Sequence, residues 1–371
     1  MNLTSDNIAP AHPAVLEALG AANSGPARPY GHDEENARVE ALLSEIFEKP
    51  VAAYLVTTGT AANALSLAQM SPPWGAVIGH REAHVMHDEC GAPEFFTNGA
   101  KIVGAAGLDG KLTPNTLGAL LGRDFWTPPT HVTPSALTLS QATEAGTVYR
   151  PAEIAALSEV ARAHKLRVHM DGARFANAVA ATRASPADLT WRAGVEALSF
   201  GFTKNGAMAA EAIVLFADDL LAGLAERRKR GGHTWSKGRF IAAQIAALLE
   251  GGLWLDLART ANATAAELAI GLEARGFRTA FPVESNEVFV WLPAALHEAL
   301  QARGAGYYVW TSESIASDRA GRAGEVIARL ICSFATTSAE VAAALAEIDA
   351  AASVAEGGRK RASRSPGTPL F

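Results

Sequence analysis

Cysteine is scarce in this chain: Cys90 and Cys332 are the only two in 371 residues. So few thiols fit a reducing compartment and a cytoplasmic location, and they disfavour a bridge between the two. Uninterrupted apolar runs of ~18 residues, the length a membrane-spanning helix needs, are missing. The N-terminus, MNLTSDNIAPAHPAVLEALG, lacks a basic segment followed by an apolar block, so no secretory signal is expected. A basic excess is missing too. The 32 lysines and arginines face 38 aspartates and glutamates, a net charge of −6, which disfavours a nucleic-acid partner. Internal repeats are absent, and no metal-ligand spacing is firm. HREAHVMH does place His80, His84 and His87 on one face of a hypothetical helix, where they could hold zinc.

The content that is present reads as globular, with 49% hydrophobic and 19% charged residues. The length favours two domains. GAVIGH, AKIVGA, ALTLSQ, LRVHMDGA, ALSFGFT and EAIVLFA are short, apolar and bounded by polar residues or glycine. Helical patterns such as PAEIAALSEVARAHK lie between several of them. That alternation predicts an α/β large domain, a mostly parallel sheet covered by helices on both faces. One long helical pattern follows from Lys237 to Gly276. Then FRTAF, NEVFVWL, YYVWT and ARLICSF read as strands of a smaller C-terminal α+β domain. The expected division is 1–240, 241–351 and a polar, basic, disordered tail at 352–371.

In ALSFGFTKNGAMAAEAIVLF, Lys204 stands at the seam of two apolar strands. A lysine among apolar residues is costly unless neutral or paired, so it either reaches water or has an amine there for chemistry. In LRVHMDGARF, Asp171 ends another strand, where α/β sheets hold ligands. It either pairs with Arg174 or holds a cationic ring nitrogen. In TTGTAAN, Thr58, Gly59 and Thr60 start a helix whose free N–H groups suit a phosphate, unless Thr58 is simply an N-cap. Phosphate loop, strand-end aspartate and strand-end lysine, in that order, match what pyridoxal 5'-phosphate requires.

A series of motifs carries a more specific likeness: LTSDNIAPAHPAVLEAL, PYGHDEENARVEALLSEIF, TTGTAANALSL, EAHVMHDECGAPEFFTNGAKIV, LSQATEAGTVY, HMDGARFANAV, SFGFTKNGAMAAEAIVLF and RRKRGGHTWSKGRF. From about Leu3 to Leu345 the chain resembles the L-threonine aldolases. They belong to the β-eliminating-lyase branch of fold-type I pyridoxal-phosphate enzymes, and HDECGAPEFF and QATEAGTVY resemble the low-specificity bacterial members.

The resemblance implies roles. Lys204 would form the Schiff base with the cofactor, Asp171 would pair with its ring nitrogen, and Thr58, Gly59 and Thr60 would bind its phosphate. His84 would stack on the ring. Ser5, Arg174 and Arg329 would hold the substrate carboxylate, and Tyr30 would lie by the cofactor, from a neighbouring subunit. The family builds dimers or tetramers with shared sites, and the zinc reading gives way to its motif. The chain departs from the pattern twice. Glu144 stands where some members carry a histidine that meets the substrate hydroxyl, which leaves His131 and Asp88 as candidates for the proton acceptor, with His87 and Glu144 behind them. Trp235 stands where some carry a phosphate-reaching arginine, for which Lys237 or Arg239 would substitute.

The implied reaction is reversible cleavage of threonine, allothreonine or a related β-hydroxy-α-amino acid such as phenylserine to glycine and an aldehyde. Two alternatives stand beside it. The same scaffold serves β-elimination and transamination, and a binding protein could keep the fold without the chemistry.

Overall fold

The six apolar segments of the large domain and one more strand pair into one sheet: β1 (Ala52–Val56), β2 (Gly75–His80), β3 (Lys101–Ala105), β4 (Thr133–Ser140), β5 (Arg167–Gly172), β6 (Ala197–Gly201) and β7 (Glu211–Leu215). The computed structural model describes the backbone of residues 1–362 and the side chains of 1–354. The strand order is β1-β7-β6-β5-β4-β2-β3. Pairings from β6 through β3 are parallel, as the alternation with helices predicts. β7 runs antiparallel to both of its neighbours. Only the short segment from Phe202 to Ala210 joins it to β6, too little chain for a crossover helix.

Every residue of β6 and β7 is buried, which explains their unbroken apolar runs. On one face Phe47, Phe175, Phe200, Phe202 and Trp254 fill the core. On the other, the helix Gly59–Met70 packs Ala61, Leu65 and Leu67 against Ile213 and Leu215. Each such large side chain contributes roughly 1.5–3 kcal/mol by leaving water. The parallel strands bring the carboxyl ends of β2, β4, β5 and β6 to one edge, and that edge holds the site.

The expected long helix is two, Arg239–Leu249 and Leu253–Glu273. Gly251 and Gly252 break it with φ of 63° and 76°, a conformation glycine takes without steric cost. This stretch, 239–273, also contains a window of mean hydropathy 1.4, long and apolar enough to cross a bilayer. Here 56% of that window is buried inside the protein, and the helices serve as core.

Beyond them β8 (Glu287–Pro293), β10 (Glu325–Ile331) and β9 (Tyr308–Trp310) form an antiparallel sheet in the order β8-β10-β9. FRTAF is not one of its strands; it contributes a single bridge, Thr279 to Val290. Residues 1–3 pack on this smaller unit, while Val15 in the following helix belongs to the large core. Leu3 donates to Gly306, accepts from Ile331 and is buried among small-sheet residues. The last helix, Ser338–Ala362, runs through the boundary expected at 351, and 363–371 of the expected tail lie outside the described residues. Both cysteines are free thiols, Cys90 exposed and Cys332 buried.

Candidate active site

Lys204 sits in a three-residue turn, Thr203–Asn205, between β6 and β7. Three anchors hold the turn. Asn205 donates to the Trp254 carbonyl at 2.8 Å, the Thr203 hydroxyl accepts from Ala210 N–H at 3.1 Å, and His12 N–H donates to Gly206 at 2.8 Å. The Lys204 ammonium itself makes no hydrogen bond or ion pair among the described residues, and it opens into a cavity of about 600 Å³. Asp171 enters the same cavity from the end of β5.

Asp171 does not pair with Arg174. One of its oxygens accepts from Asn63 at 2.8 Å and the other from the Ala173 N–H at 3.0 Å. Arg174 instead grips Asp6 with a two-point fork, at 2.8 and 3.1 Å, and lies 3.4 Å from Glu287. Burial opposes the Arg174 charge, but Asp6 and Glu287 more than offset it and raise its pKa. The expected substrate clamp is therefore largely occupied from within. Arg329 also meets Glu287, at 3.0 Å, and lies over the Trp310 ring, yet its Nε is buried without a partner among the described residues.

Thr58 is an N-cap, its hydroxyl accepting from Ala61 N–H at 3.1 Å, and it lines the cavity as well. The capping and ligand readings of TTGTAAN thus hold together. Gly59 and Thr60 follow on the cavity wall, with open space where a Gly59 side chain would stand. His84 lies on the same wall, its Nδ1 2.9 Å from Glu89. The Glu89 hydrogen bond raises the His84 pKa against the effect of burial, with Asp171 and Glu144 adding to it. Glu144 accepts from the His84 N–H at 2.8 Å and from Ser140 at 2.9 Å. Burial first, and the nearby Asp171 second, push its carboxyl up. Ser5 completes the wall from the N-terminal segment.

The other expected site residues do not all meet in the cavity. His131 is exposed, precedes β4 and lies at the opposite end of that strand from Ser140, outside the cavity. Asp88 does line the cavity but is exposed at the end of the single turn His84–His87. The buried carboxylate of that motif is its neighbour, Glu89. The histidines do not share one face: His80 ends β2 at 3.2 Å from the Gly107 carbonyl, and exposed His87 turns to Arg81. Tyr30 stands outside its own chain's cavity, half exposed, under the Lys229 ammonium at 4.6 Å. Trp235, Lys237 and Arg239 also lie outside it; Arg239 donates to the Gly25 carbonyl.

The donor set fits pyridoxal 5'-phosphate: a lysine unpartnered and a carboxylate free of arginine among the described residues, and a helix start lined by glycine and threonine. The profile of one family, described as beta-eliminating lyase, matches residues 2–295. The chain belongs to the β-eliminating lyase family.

Among relatives in this family, a low specificity L-threonine aldolase of Pseudomonas aeruginosa is 43% identical over 83% of this chain and 89% of its own. Another, from a Pseudomonas species, is 40% identical over 93% and 96%. In three dimensions the Leishmania major threonine aldolase superposes with a TM-score of 0.86 at 27% identity, covering 95% of this chain and 99% of its own. Within this β-eliminating lyase, sequence reasoning missed Asp6, Asn63, Glu89, Glu211 and Glu287. Asp6, Asn63, Glu89 and Glu211 do lie inside quoted motifs, and for Asn63 a polar residue on an otherwise buried helix was the available signal.

Proposed function

We propose that this protein is a lyase of the L-threonine aldolase type, cleaving β-hydroxy-α-amino acids to glycine and an aldehyde. The observation that carries this reading is the meeting of unpartnered Lys204 and arginine-free Asp171 in one cavity, in a chain 40–43% identical to L-threonine aldolases.

Bound pyridoxal 5'-phosphate supplies a conjugated cation that takes up the electron pair freed when a bond at the substrate α-carbon breaks. Lys204 would hold the cofactor covalently, and Asp171 would keep its ring nitrogen protonated. The N-terminus of helix Gly59–Met70 would take its phosphate, where free N–H groups and the helix dipole favour an anion. His84 would cover the ring. Arg329, with its unpartnered Nε, and Ser5 would orient the substrate carboxylate, while Arg174 shapes that wall through Asp6. Glu144 is best placed to accept the hydroxyl proton, since it faces the cavity with a raised affinity for protons.

We further place the enzyme in the cytoplasm as a homodimer or homotetramer. Exposed Tyr30, away from its own cavity, would serve the neighbouring subunit. Sedimentation analysis tests the assembly. The chemistry is tested by adding pyridoxal 5'-phosphate and L-threonine and measuring glycine, with ammonia release as the outcome that favours β-elimination.

A further inference from the structure

Glu211 opens β7 and is buried at the cavity wall. Across the sheet it faces Val56 on β1 and Gly201 on β6, neither of which carries charge. The charged group that acts on it is Lys204. One Glu211 oxygen accepts from the Phe202 N–H at 3.0 Å. Phe202 and Thr203 begin the turn that carries Lys204. Asp6 and Glu287 face arginines at 2.8 and 3.0 Å, whereas Glu211 has no ion-pair partner among the described residues.

Capping a three-residue turn needs only an acceptor oxygen, which an amide supplies. A buried carboxylate without a close cation is a costly way to obtain one. Burial pushes the Glu211 carboxyl up to about 7, so its charge changes near neutrality. An ionised carboxylate beside a nitrogen favours that nitrogen's protonated form, and a neutral one does not.

We propose that Glu211 is a positioning residue for Lys204: it fixes the turn that carries the amine and, through its charge, sets how firmly the Lys204 nitrogen holds a proton. This rests on the reading of Lys204 as the cofactor-bearing lysine. Only a proton is exchanged with solvent; no covalent bond between heavy atoms changes.

The test is a spectrophotometric pH titration of the holoprotein, following the visible band of the Lys204-linked cofactor. Glu211→Gln keeps an acceptor for Phe202 but removes the charge. Its midpoint is expected to fall by roughly half a pH unit or more, while Glu211→Asp stays near wild type. An unmoved midpoint in Glu211→Gln overturns the proposal, because a purely structural cap predicts that result. Should the Gln variant lose its cofactor, the same question is put to the apoproteins, with labelling of Lys204 by an amine-reactive reagent at pH 7 followed by mass spectrometry. Faster labelling than wild type supports the proposal and equal rates overturn it. A wild-type protein with no visible band on adding pyridoxal 5'-phosphate would instead sink the cofactor reading, and this inference with it.

Discussion

The Asn63 amide nitrogen lies 2.8 Å from Asp171 and 2.8 Å from Glu89, so one side chain ties together the carboxylate at the end of β5 and the carboxylate that holds His84. All three are buried. Replacing Asn63 by Ala leaves two carboxylates without their shared donor. Each unsatisfied buried acceptor costs about 1–3 kcal/mol. Urea unfolding of Asn63→Ala should show a loss in that range, and cofactor titration a weaker Kd. Unchanged stability and affinity would mean that water replaces the amide.

Asp171→Asn separates catalysis from folding. The amide's single oxygen can accept from Asn63 or from Ala173 but not from both, so stability is expected to fall by about 1–3 kcal/mol, a folding cost small beside the catalytic one. It cannot hold a ring-nitrogen proton as a carboxylate does, since charge-assisted hydrogen bonds are roughly twice as strong as neutral ones. Steady-state assays should show kcat falling by orders of magnitude. Retention of most of kcat would make Asp171 structural.

Asp6 and Arg174 form a pair that is almost wholly out of solvent. Burial alone would raise the Asp6 carboxyl, but Arg174, Lys204 and Asn286 together hold it below its ordinary value. A depressed carboxyl contributes stability that is full above its unfolded pKa and is lost as pH falls through the folded one. Asp6→Asn is therefore expected to cost about 3–5 kcal/mol at neutral pH, as for a broken buried pair. The deficit should begin to shrink only below about pH 4, where the unfolded aspartate takes up its proton. Unfolding curves at pH 7, 5 and 3 check this, and a deficit that already falls between pH 7 and 5 would contradict it.

Much of this is legible in the sequence. Unbroken apolar strands with helices between them give the large sheet, because a sheet buried on both faces cannot alternate. Lys204, Asp171 and Thr58 could be found as polar residues at strand ends. The reversal of β7 was harder to read, since an apolar strand looks alike in either direction. FRTAF has strand-like composition and forms only one bridge. The pairing of Arg174 with Asp6 spans the chain, |i−j| = 168, and no local pattern records it. His131 illustrates the converse: its residue type suits a base, but its place before β4 puts it at the wrong end.

Glu144, rather than His131 or Asp88, is expected to control the acid limb of the pH profile. Its carboxyl is raised above the ordinary value of about 4.3. A base must be unprotonated, so activity should fall as pH drops through that raised value. Glu144→Gln should lose about a hundredfold in kcat, the lower end of a positioned base's contribution, together with the acid limb. His131→Ala should stay near wild type. A tenfold loss in His131→Ala with a normal Glu144→Gln would reverse the assignment.

A site that holds the hydroxyl through one half-buried carboxylate discriminates weakly between its two orientations. L-threonine and L-allothreonine should accordingly differ in kcat/KM by less than about a thousandfold, roughly 4 kcal/mol. Initial-rate measurements with both isomers decide it.

A product balance on L-threonine, run with the holoprotein and with Lys204→Ala matched for circular dichroism, reaches the chemistry most directly. Wild type should release glycine and acetaldehyde one for one, with no ammonia, and Lys204→Ala should release neither and show no visible cofactor band. Ammonia and a keto acid from wild type, or aldol cleavage persisting without Lys204, would contradict it.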